Sequence, residues 1–240
     1  CFGQSVWIEL QARQMSCHNV TGAEPNALAL LPAIDRRHLT AQRAIGSVRV
    51  AAGLRVEADR TRIQLEDTDA RTAVRVFPGI RGEWTDPRSG LLYRFAYARR
   101  IHRPASQMLS PFAMGDDDMN EIIGNPSLMP EISDQVEFGV ERHGSRLTVQ
   151  LTPFLRWTRD PIRQLKVATA SGGTMTTLEN LLHARAAGAD GSVRAQIADN
   201  TVVTLAGSVA HMKTAGDVFS SSGVHATARL TAPPSAREAG

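Results

Sequence analysis

Aromatic residues, cysteines and lysines are scarce in this chain, and a long apolar run is missing. Aromatic residues make up 5% of the 240 residues, and the cysteines are Cys1 and Cys17. Two cysteines are too few for a disulfide-rich scaffold, and Cys17 has one neighbouring histidine but no further residues at metal-ligand spacing. No segment approaches the roughly 18 consecutive apolar residues of a membrane-spanning helix. These absences argue against a disulfide scaffold, a cysteine-based metal site and a helical membrane protein.

The charged residues indicate a folded protein without a nucleic-acid partner. Lysine and arginine number 27 against 24 acidic residues, which gives a formal net charge of +3. Lys166 and Lys213 are the only lysines, so arginine carries almost all of the positive charge. No basic stripe is interleaved with aromatic residues of the kind that stack on bases. With 42% hydrophobic and 21% charged residues, the composition is that of a folded protein.

Alternation of apolar and polar residues is the main pattern of the chain, and it predicts β-strands with two different faces. In the segment 133–141, Val136, Phe138 and Val140 alternate with polar or small residues. The same alternation recurs in the segments 48–56, 91–98, 147–157, 193–197, 203–209 and 224–230. Helical spacing is limited to two short stretches, 27–31 and 178–187. The sequence therefore predicts an all-β protein with about ten strands.

The connections between the predicted strands are alternately short and long. Short polar turns are predicted at 85–90, 142–145 and 198–201, each rich in Gly, Pro, Asn or Asp. Long connections are predicted at 101–133 and 158–177, with a moderate one near 213–222. Soluble sandwiches have mostly short loops, whereas outer-membrane barrels have short turns on the periplasmic side and long loops outside.

Alternation alone does not decide between a membrane barrel and a soluble protein, because the two differ only in which face meets water. The long predicted strands 46–58 and 146–157 suit a tilted span of the bilayer. In that case Leu147, Val149, Leu151 and Leu155 face lipid, while Thr148, Gln150 and Arg156 face the lumen. The shortage of aromatic residues counts against a barrel, since barrels carry aromatic girdles. A soluble β-sandwich with a carbohydrate-binding or lectin-like function remains the alternative.

Two segments, YRFAYARRIHRPASQMLSPF (93–112) and IIGNPSLMPEISDQVEFGVE (122–141), carry a specific set of motifs. An Arg-Arg-x-x-Arg-Pro strand end is followed by Leu-x-Pro-Phe and then by Gly-Asn-Pro-x-Leu-x-Pro-Glu. In this order the motifs resemble the β-barrel of TonB-dependent outer-membrane receptors. The resemblance extends from about Val48 to Leu230 and includes LTPFLRWTRDPIRQL and TLENL. The structural motif residues are Pro104, Pro111, Phe112, Asn125, Pro126, Pro130 and Glu131.

The resemblance implies an antiparallel up-and-down transmembrane barrel, to which this chain contributes about ten of about 22 strands. It divides the chain into a poorly matched part with a possible strand and loop (1–45), a barrel segment (46–232) and a truncated turn or tail (233–240). It also implies a bacterial outer-membrane location, contact with outer-membrane lipid and lipopolysaccharide, and TonB-dependent uptake of a scarce ligand such as a siderophore, a cofactor or an oligosaccharide. The TonB complex acts on a plug domain that this sequence does not show, so we expect a central barrel segment that does not transport alone. We expect no bound cofactor.

Prolines in the second motif are expected to stiffen the returning arm of a long external loop. Proline fixes its own φ angle and biases the preceding residue toward extended geometry. Asn125-Pro126 and Pro130-Glu131 therefore deliver the segment 133–141 to the rim of the barrel already extended.

Charged residues in and beside the long connections are the candidate ligand contacts. The candidates are Arg99, Arg100, His102 and Arg103, the acidic run Asp116, Asp117 and Asp118, and Arg159 and Arg163. The first cluster can bind an anionic ligand such as a ferric siderophore, or lipopolysaccharide phosphates, through bidentate hydrogen bonds; pairing with the acidic run is the alternative. The acidic run lacks the alternate-residue spacing of a calcium loop, so no metal site is predicted.

Enzymatic motifs are absent from the sequence. SGGT (171–174) and SSSG (220–223) lack the Gly-x-Ser-x-Gly context of a nucleophile elbow. The histidines form no HExxH or triad-like grouping. Glu137 and Glu141 share one strand face, which the wall of a polar lumen explains without a glycosidase site. We therefore expect no catalytic activity.

Overall fold

The computed structural model describes residues 7–16, 29–64, 68–114, 120–169, 172–215 and 220–231, and these residues form two sheets. Ten strands make one antiparallel sheet, in the order β1 (Trp7–Ser16), β2 (Ala29–Ile45), β3 (Val48–Gln64), β4 (Thr68–Thr85), β5 (Leu91–His102), β8 (Glu131–His143), β9 (Leu147–Arg159), β12 (His183–Ala198), β13 (Thr201–Thr214) and β14 (Ser220–Thr231). A second sheet has the order β10 (Ile162–Ala168), β11 (Thr174–Asn180), β7 (Asn120–Ile123) and β6 (Ala113–Met114). A short 3-10 helix, Ser106–Leu109, precedes β6. The predicted all-β class and strand number are confirmed.

Among the described residues, the connections at one end of the large sheet are all short turns, and we name this end the turn end. Gly46 and Ser47 connect β2 to β3, with Gly46 at a φ of 59°. The predicted turns 85–90, 142–145 and 198–201 all lie at this end. In the first of them, the Ser89 hydroxyl and the Arg88 backbone N–H donate to the Asp86 carboxylate and hold its pKa below its ordinary value. The opposite end, where the long connections emerge, is the loop end.

The large sheet has an exposed apolar face and a polar face that is more buried, the reverse of a soluble protein. On β9 the side chains predicted to face lipid are all exposed, with Leu151 54% exposed, whereas Thr148 and Gln150 are partly buried. On the other face of the sheet, Glu57 is 1% exposed and Glu141 is 8% exposed. We name the apolar surface the outer face and the charged surface the inner face. A face of exposed valine and leucine side chains has no favourable contact with water, so it requires lipid or another apolar partner.

Aromatic side chains cluster on the outer face at the turn end. The rings of Trp84 and Tyr93 stack with centroids 5.1 Å apart, and the ring of Phe138 lies 6.3 Å from that of Tyr93. Trp157 lies on the outer face near the loop end. Trp84, Tyr93 and Phe138 on one side and Trp157 on the other thus lie toward the two ends of the apolar surface, where membrane barrels place aromatic residues.

The long connections 101–133 and 158–177 contain ordered structure in the described residues. The first connection forms β6 and β7 and the second forms β10 and β11, and β7 pairs in parallel with β11. Buried side chains of Leu109, Leu128 and Leu178 form an apolar cluster between them. We name the described parts of 103–130 and 160–182 the loop layer. No described segment forms a helix long and apolar enough to cross a membrane.

Candidate functional site

Four arginines surround two carboxylates on the inner face. The cluster consists of Arg36 on β2, Arg55, Glu57 and Asp59 on β3, Arg75 on β4, and Arg103 just after β5. Alternation places the β3 members on one face, and the register puts Arg36 and Arg75 directly opposite Glu57 on the two neighbouring strands. Four positive and two negative side chains leave an excess of two positive charges. We name this group the inner arginine cluster.

The buried Glu57 carboxylate is the centre of the inner arginine cluster. Its Oε1 lies 3.0 Å from Arg36 Nε and 3.2 Å from the Nε of Arg55, and Arg103 Nη2 donates to its Oε2 at 2.7 Å. The Arg55 guanidinium also lies 4.6 Å above the centre of the Phe77 ring. The two Nε groups lie at ion-pair distance but make no hydrogen bond with any residue that the structure describes. The side chains of Arg36, Arg55 and Arg103 are each partly exposed.

The chain after β5 turns inward, and this turn brings Arg103 to the inner arginine cluster. The β4–β5 pairing ends at Gly79 and Ala98, whereas β4 continues toward the loop end. Arg103 reaches past β4 to Asp59, with Nη2 3.1 Å from its Oδ2. Farther along β4, Arg71 Nη1 is 3.4 Å from the backbone oxygen of Ser127. The loop layer therefore lies over the inner face of β3 and β4.

The Gly-Asn-Pro motif holds the loop layer together. The Asn125 side-chain amide donates to the backbone oxygen of Leu178 at 2.9 Å, and its carbonyl oxygen accepts the Ser127 N–H at 2.8 Å. The Asn125 backbone N–H donates to Met108 O at 2.7 Å. Gly124 packs so closely that a Cβ there would lie 2.5 Å from Ser110 O. The motif thus joins the first long connection to the second and to the 3-10 helix.

Two further polar side chains add contacts: Asn180 joins the two parts of the loop layer, and Glu131 ties the layer to β8. The Asn180 carbonyl accepts the Met129 N–H at 2.7 Å, and its amide donates to the backbone oxygens of Met129 and Asp160. Glu131 Oε1 accepts the Ile162 N–H at 2.6 Å. Pro104, Pro111, Pro126 and Pro130 are partly buried in this layer, and Phe112 is exposed.

The structure divides the predicted ligand contacts between the two faces of the sheet and the loop layer. Arg103 belongs to the inner arginine cluster, Arg100 and His102 are exposed on the inner face, Arg99 and Arg159 lie on the outer face, and Arg163 is in the loop layer. Asp116, Asp117 and Asp118 lie outside the described residues. His102 Nδ1 is 3.7 Å from Glu131 Oε2. Among the described residues, no group of three or more His, Cys, Asp or Glu side chains could hold a metal ion.

Arg99 has a structural partner on the outer face. Its Nε and Nη2 donate to Asp134 at 2.8 and 3.1 Å, and the Tyr97 hydroxyl donates to the same carboxylate at 2.7 Å. Arg99 is therefore a less suitable ligand contact than Arg100, which faces the opposite side of β5 and makes no ion pair within the described residues.

Sequence reasoning did not select most members of the inner arginine cluster. Arg36, Arg55, Glu57, Asp59 and Arg75 lie on strands, whereas the predicted ligand contacts lie in or beside the long connections. A signal was present, because Arg55, Glu57 and Asp59 alternate with the apolar residues of β3. Three charged residues on one face of a strand indicate that this face lines the polar lumen of a barrel.

Comparison with known proteins identifies the family. The sequence model of the outer membrane protein beta-barrel family matches residues 38–232. The chain belongs to this family. The chain is thus a β-barrel segment of the bacterial outer membrane, and its outer face contacts lipid. No curated protein sequence matches the chain significantly.

Several solved receptors and transporters share this barrel fold. The copper transporter OprC is 16% identical with a TM-score of 0.67, over 80% of this chain and 30% of the transporter. The FrpB iron transporter from Neisseria meningitidis (F5-1 variant) is 12% identical with a TM-score of 0.57, over 85% and 32% of the two chains. The siderophore receptor PirA from Pseudomonas aeruginosa is 11% identical with a TM-score of 0.51, over 95% and 51%. The chain thus spans about a third to a half of the length of these proteins, and the names describe receptors and transporters rather than enzymes.

Labelling should show that the loop end is external and the turn end periplasmic, as in other outer-membrane barrels. Ser106 is exposed in the loop layer and Ser89 is exposed in a short turn. With Cys1 and Cys17 replaced by serine, S106C should react in intact cells with an impermeant maleimide, whereas S89C should react only after the outer membrane is permeabilised. Labelling of S89C but not of S106C in intact cells would show that the orientation is the reverse of the predicted one.

Proposed function

We propose that this chain forms part of the wall and mouth of a receptor that takes up a scarce anionic ligand, with energy from the TonB complex acting through a plug domain. The single observation that supports this function is the inner arginine cluster, which has excess positive charge and lies beneath the loop layer at the external mouth. Lumen walls set ligand selectivity in membrane barrels.

The ligand class that fits this wall is a bulky anion such as a ferric siderophore. Guanidinium groups bind carboxylate and catecholate oxygens with paired, charge-assisted hydrogen bonds. A mouth lined by one sign of charge also raises the local concentration of an oppositely charged ligand. The names of the similar structures include an iron transporter and a siderophore receptor, and these names agree with the proposed class. A neutral oligosaccharide would not use the excess positive charge.

Substitution of Arg100 is the most suitable test of this function. It is exposed on the inner face, on the same side of the sheet as the inner arginine cluster, and lies opposite Ser133 on β8. Removing it disturbs no ion pair described in the protein, so the effect on uptake is separable from an effect on folding. The matched control is R88Q, which removes an exposed arginine from a short turn at the periplasmic end.

Replacement of Arg100 by glutamine should weaken uptake of an anionic iron complex. The cells should carry the complete receptor gene, and the probes are a trianionic ferric catecholate and a neutral ferric hydroxamate, both with radioactive iron. In R100Q the KM for the catecholate should rise about tenfold, which corresponds to the loss of one charge-assisted hydrogen bond. In R88Q it should stay at the wild-type value, and a protonophore should stop uptake in all strains. Equal catecholate uptake in R100Q and R88Q would contradict the role of Arg100, and uptake that survives the protonophore would contradict the TonB dependence.

A further inference from the structure

A flat part of the inner face lies next to the inner arginine cluster, on its turn-end side. Gly53 on β3 is directly opposite Gly79 on β4, and the residues beside them at the same level on β2 and β5 are Thr40 and Ala98. Two residues closer to the turn end, the same face carries alanines on β3 and β5. The wall here is therefore covered by small side chains. We name this group the glycine shelf, and it consists of Thr40, Ala51, Gly53, Gly79, Ala96 and Ala98.

Neither glycine of the shelf is required by the backbone or by packing among the described residues. Neither has a positive φ, and the strand register runs through both without a bulge. A Cβ at Gly53 would come no closer than 3.8 Å to another atom, and one at Gly79 no closer than 3.6 Å, which are ordinary contacts. Glycine weakens the interior of a strand and often marks a place where a ligand or another backbone approaches closely. The shelf thus leaves room that the described residues do not fill.

Two arginines border the glycine shelf, one at each end. Arg55, on the loop-end side, lies over the Phe77 ring and keeps 41% of its side chain exposed. Arg81, on the turn-end side, is exposed and makes no ion pair with a described residue, because the nearby Glu83 already pairs with two other arginines.

The spacing of these two cations fits a rigid ligand with two negative charges. Arg81 is directly opposite Ala51, four residues before Arg55 on β3, so the two levels are about 14 Å apart along the strand. A recess of about 510 Å³ lies along this part of the wall, and both arginines line it. The recess therefore has a flat floor between two cationic ends.

We propose that the glycine shelf binds a planar aromatic group that carries an acidic group at each end. The ring lies flat on the glycine backbone, because no Cβ holds it away. Arg55 and Arg81 bind the two acidic groups through paired, charge-assisted hydrogen bonds. A rigid ring bridges the two cations with little loss of conformational entropy. The inference rests on the proposed function, since it places the transported anion on the same wall, and it adds that this anion is aromatic.

Isothermal titration calorimetry of the detergent-solubilised complete receptor tests this site. The probes are terephthalate, which is planar, and trans-1,4-cyclohexanedicarboxylate, which carries the same two charges on a puckered ring. The wild type should bind terephthalate about tenfold more tightly than the puckered probe. In G79V the affinity for terephthalate should fall about tenfold, because the valine side chain occupies the shelf. R81Q should lose about as much, through one missing charge-assisted hydrogen bond.

The matched control is G82V, on the same strand but on the outer face, where no atom lies within 4 Å of a Cβ. This variant should bind terephthalate as the wild type does. Because valine favours strands more than glycine does, G79V should unfold at the wild-type temperature or above it, which separates weaker binding from a folding defect.

The proposal is overturned if G79V and G82V bind terephthalate equally well, or if the wild type binds the planar and the puckered probe equally. The titration needs neither an energy source nor Arg100, whereas the uptake assay with R100Q needs both and uses an iron complex. Failure of the shelf and failure of the proposed function are therefore distinguishable.

Discussion

Replacing Leu151 by arginine should prevent most of the protein from assembling into the outer membrane. Leu151 is 54% exposed on the outer face, near the middle of the apolar band between Leu147 and Trp157. An arginine facing lipid near the bilayer midplane costs about 2–4 kcal/mol. The charge destabilises the membrane-inserted receptor more than the unassembled chain in the periplasm, because only insertion removes the charge from water. The measurement is the heat-modifiable fraction of receptor in outer-membrane preparations, which should fall at least tenfold.

The control for this prediction is Gln150→Arg, one residue earlier on the same strand. Gln150 is partly buried on the inner face and lies directly opposite Glu141 on β8. An arginine at this position can pair with the carboxylate in a polar lumen, so Q150R should assemble at close to the wild-type level. Equal loss, or equal tolerance, in L151R and Q150R would show that the two faces of β9 do not differ in environment.

Replacing Gly124 by valine should open the loop layer while leaving the barrel wall intact. A Cβ at this position would lie 2.5 Å from Ser110 O, 2.6 Å from Met108 O and 2.8 Å from Gln107 O. These are backbone atoms of one short segment, so the 3-10 helix and the Gly-Asn-Pro turn have to separate. Overpacking of this kind costs about 1–3 kcal/mol. The fraction of molecules with an open layer should therefore rise about 5-fold to 150-fold.

Limited proteolysis measures this opening. Trypsin added to the folded receptor should cleave G124V faster than the wild type at Arg163 and Lys166, which lie on β10 in the loop layer. Gly82→Val is the matched control, because no atom lies within 4 Å of a Cβ at that position on β4. Unchanged cleavage rates in G124V, with the heat-modifiable band retained, would show that the close packing at Gly124 does not hold the layer closed.

Much of the barrel wall could be predicted from alternation, and the exceptions have physical reasons. The strands β3, β8, β9, β13 and β14 contain strict apolar–polar patterns, because each has one lipid-facing side. The first half of β12 was not recognised, since small residues such as Ala187, Gly188 and Ala189 occupy both faces and resemble a helical stretch. Gly188 is small because a Cβ there would lie 2.4 Å from Val209 O and 2.6 Å from the Phe154 ring. On β4, the Pro78-Gly79 pair obscured the alternation.

The candidate site was harder to predict than the wall, because it depends on contacts between distant segments. The motif residues from Gly124 to Glu131 were recognised, but their partners Leu178, Asn180 and Ile162 are about 30 to 55 residues away and follow no local pattern. Arg103 was assigned to ligand binding or to the acidic run, whereas the structure pairs it with Glu57 and Asp59 on β3. Contact between Arg103 and the ligand stays a prediction.

The parallel pairing of β7 with β11 has a consequence for the order of folding. Thr174 pairs with Asn120, 54 positions earlier, and β8, β9 and β10 lie between them in the chain. Neighbouring strands of the wall that are joined by a short turn, such as β8 and β9, close a much smaller loop of chain. Closing a long loop carries a larger entropic cost, so distant contacts form after local ones. We expect the wall to form with an open mouth, and the mouth to close only after β5, β8, β9 and β12 have brought the two long connections together.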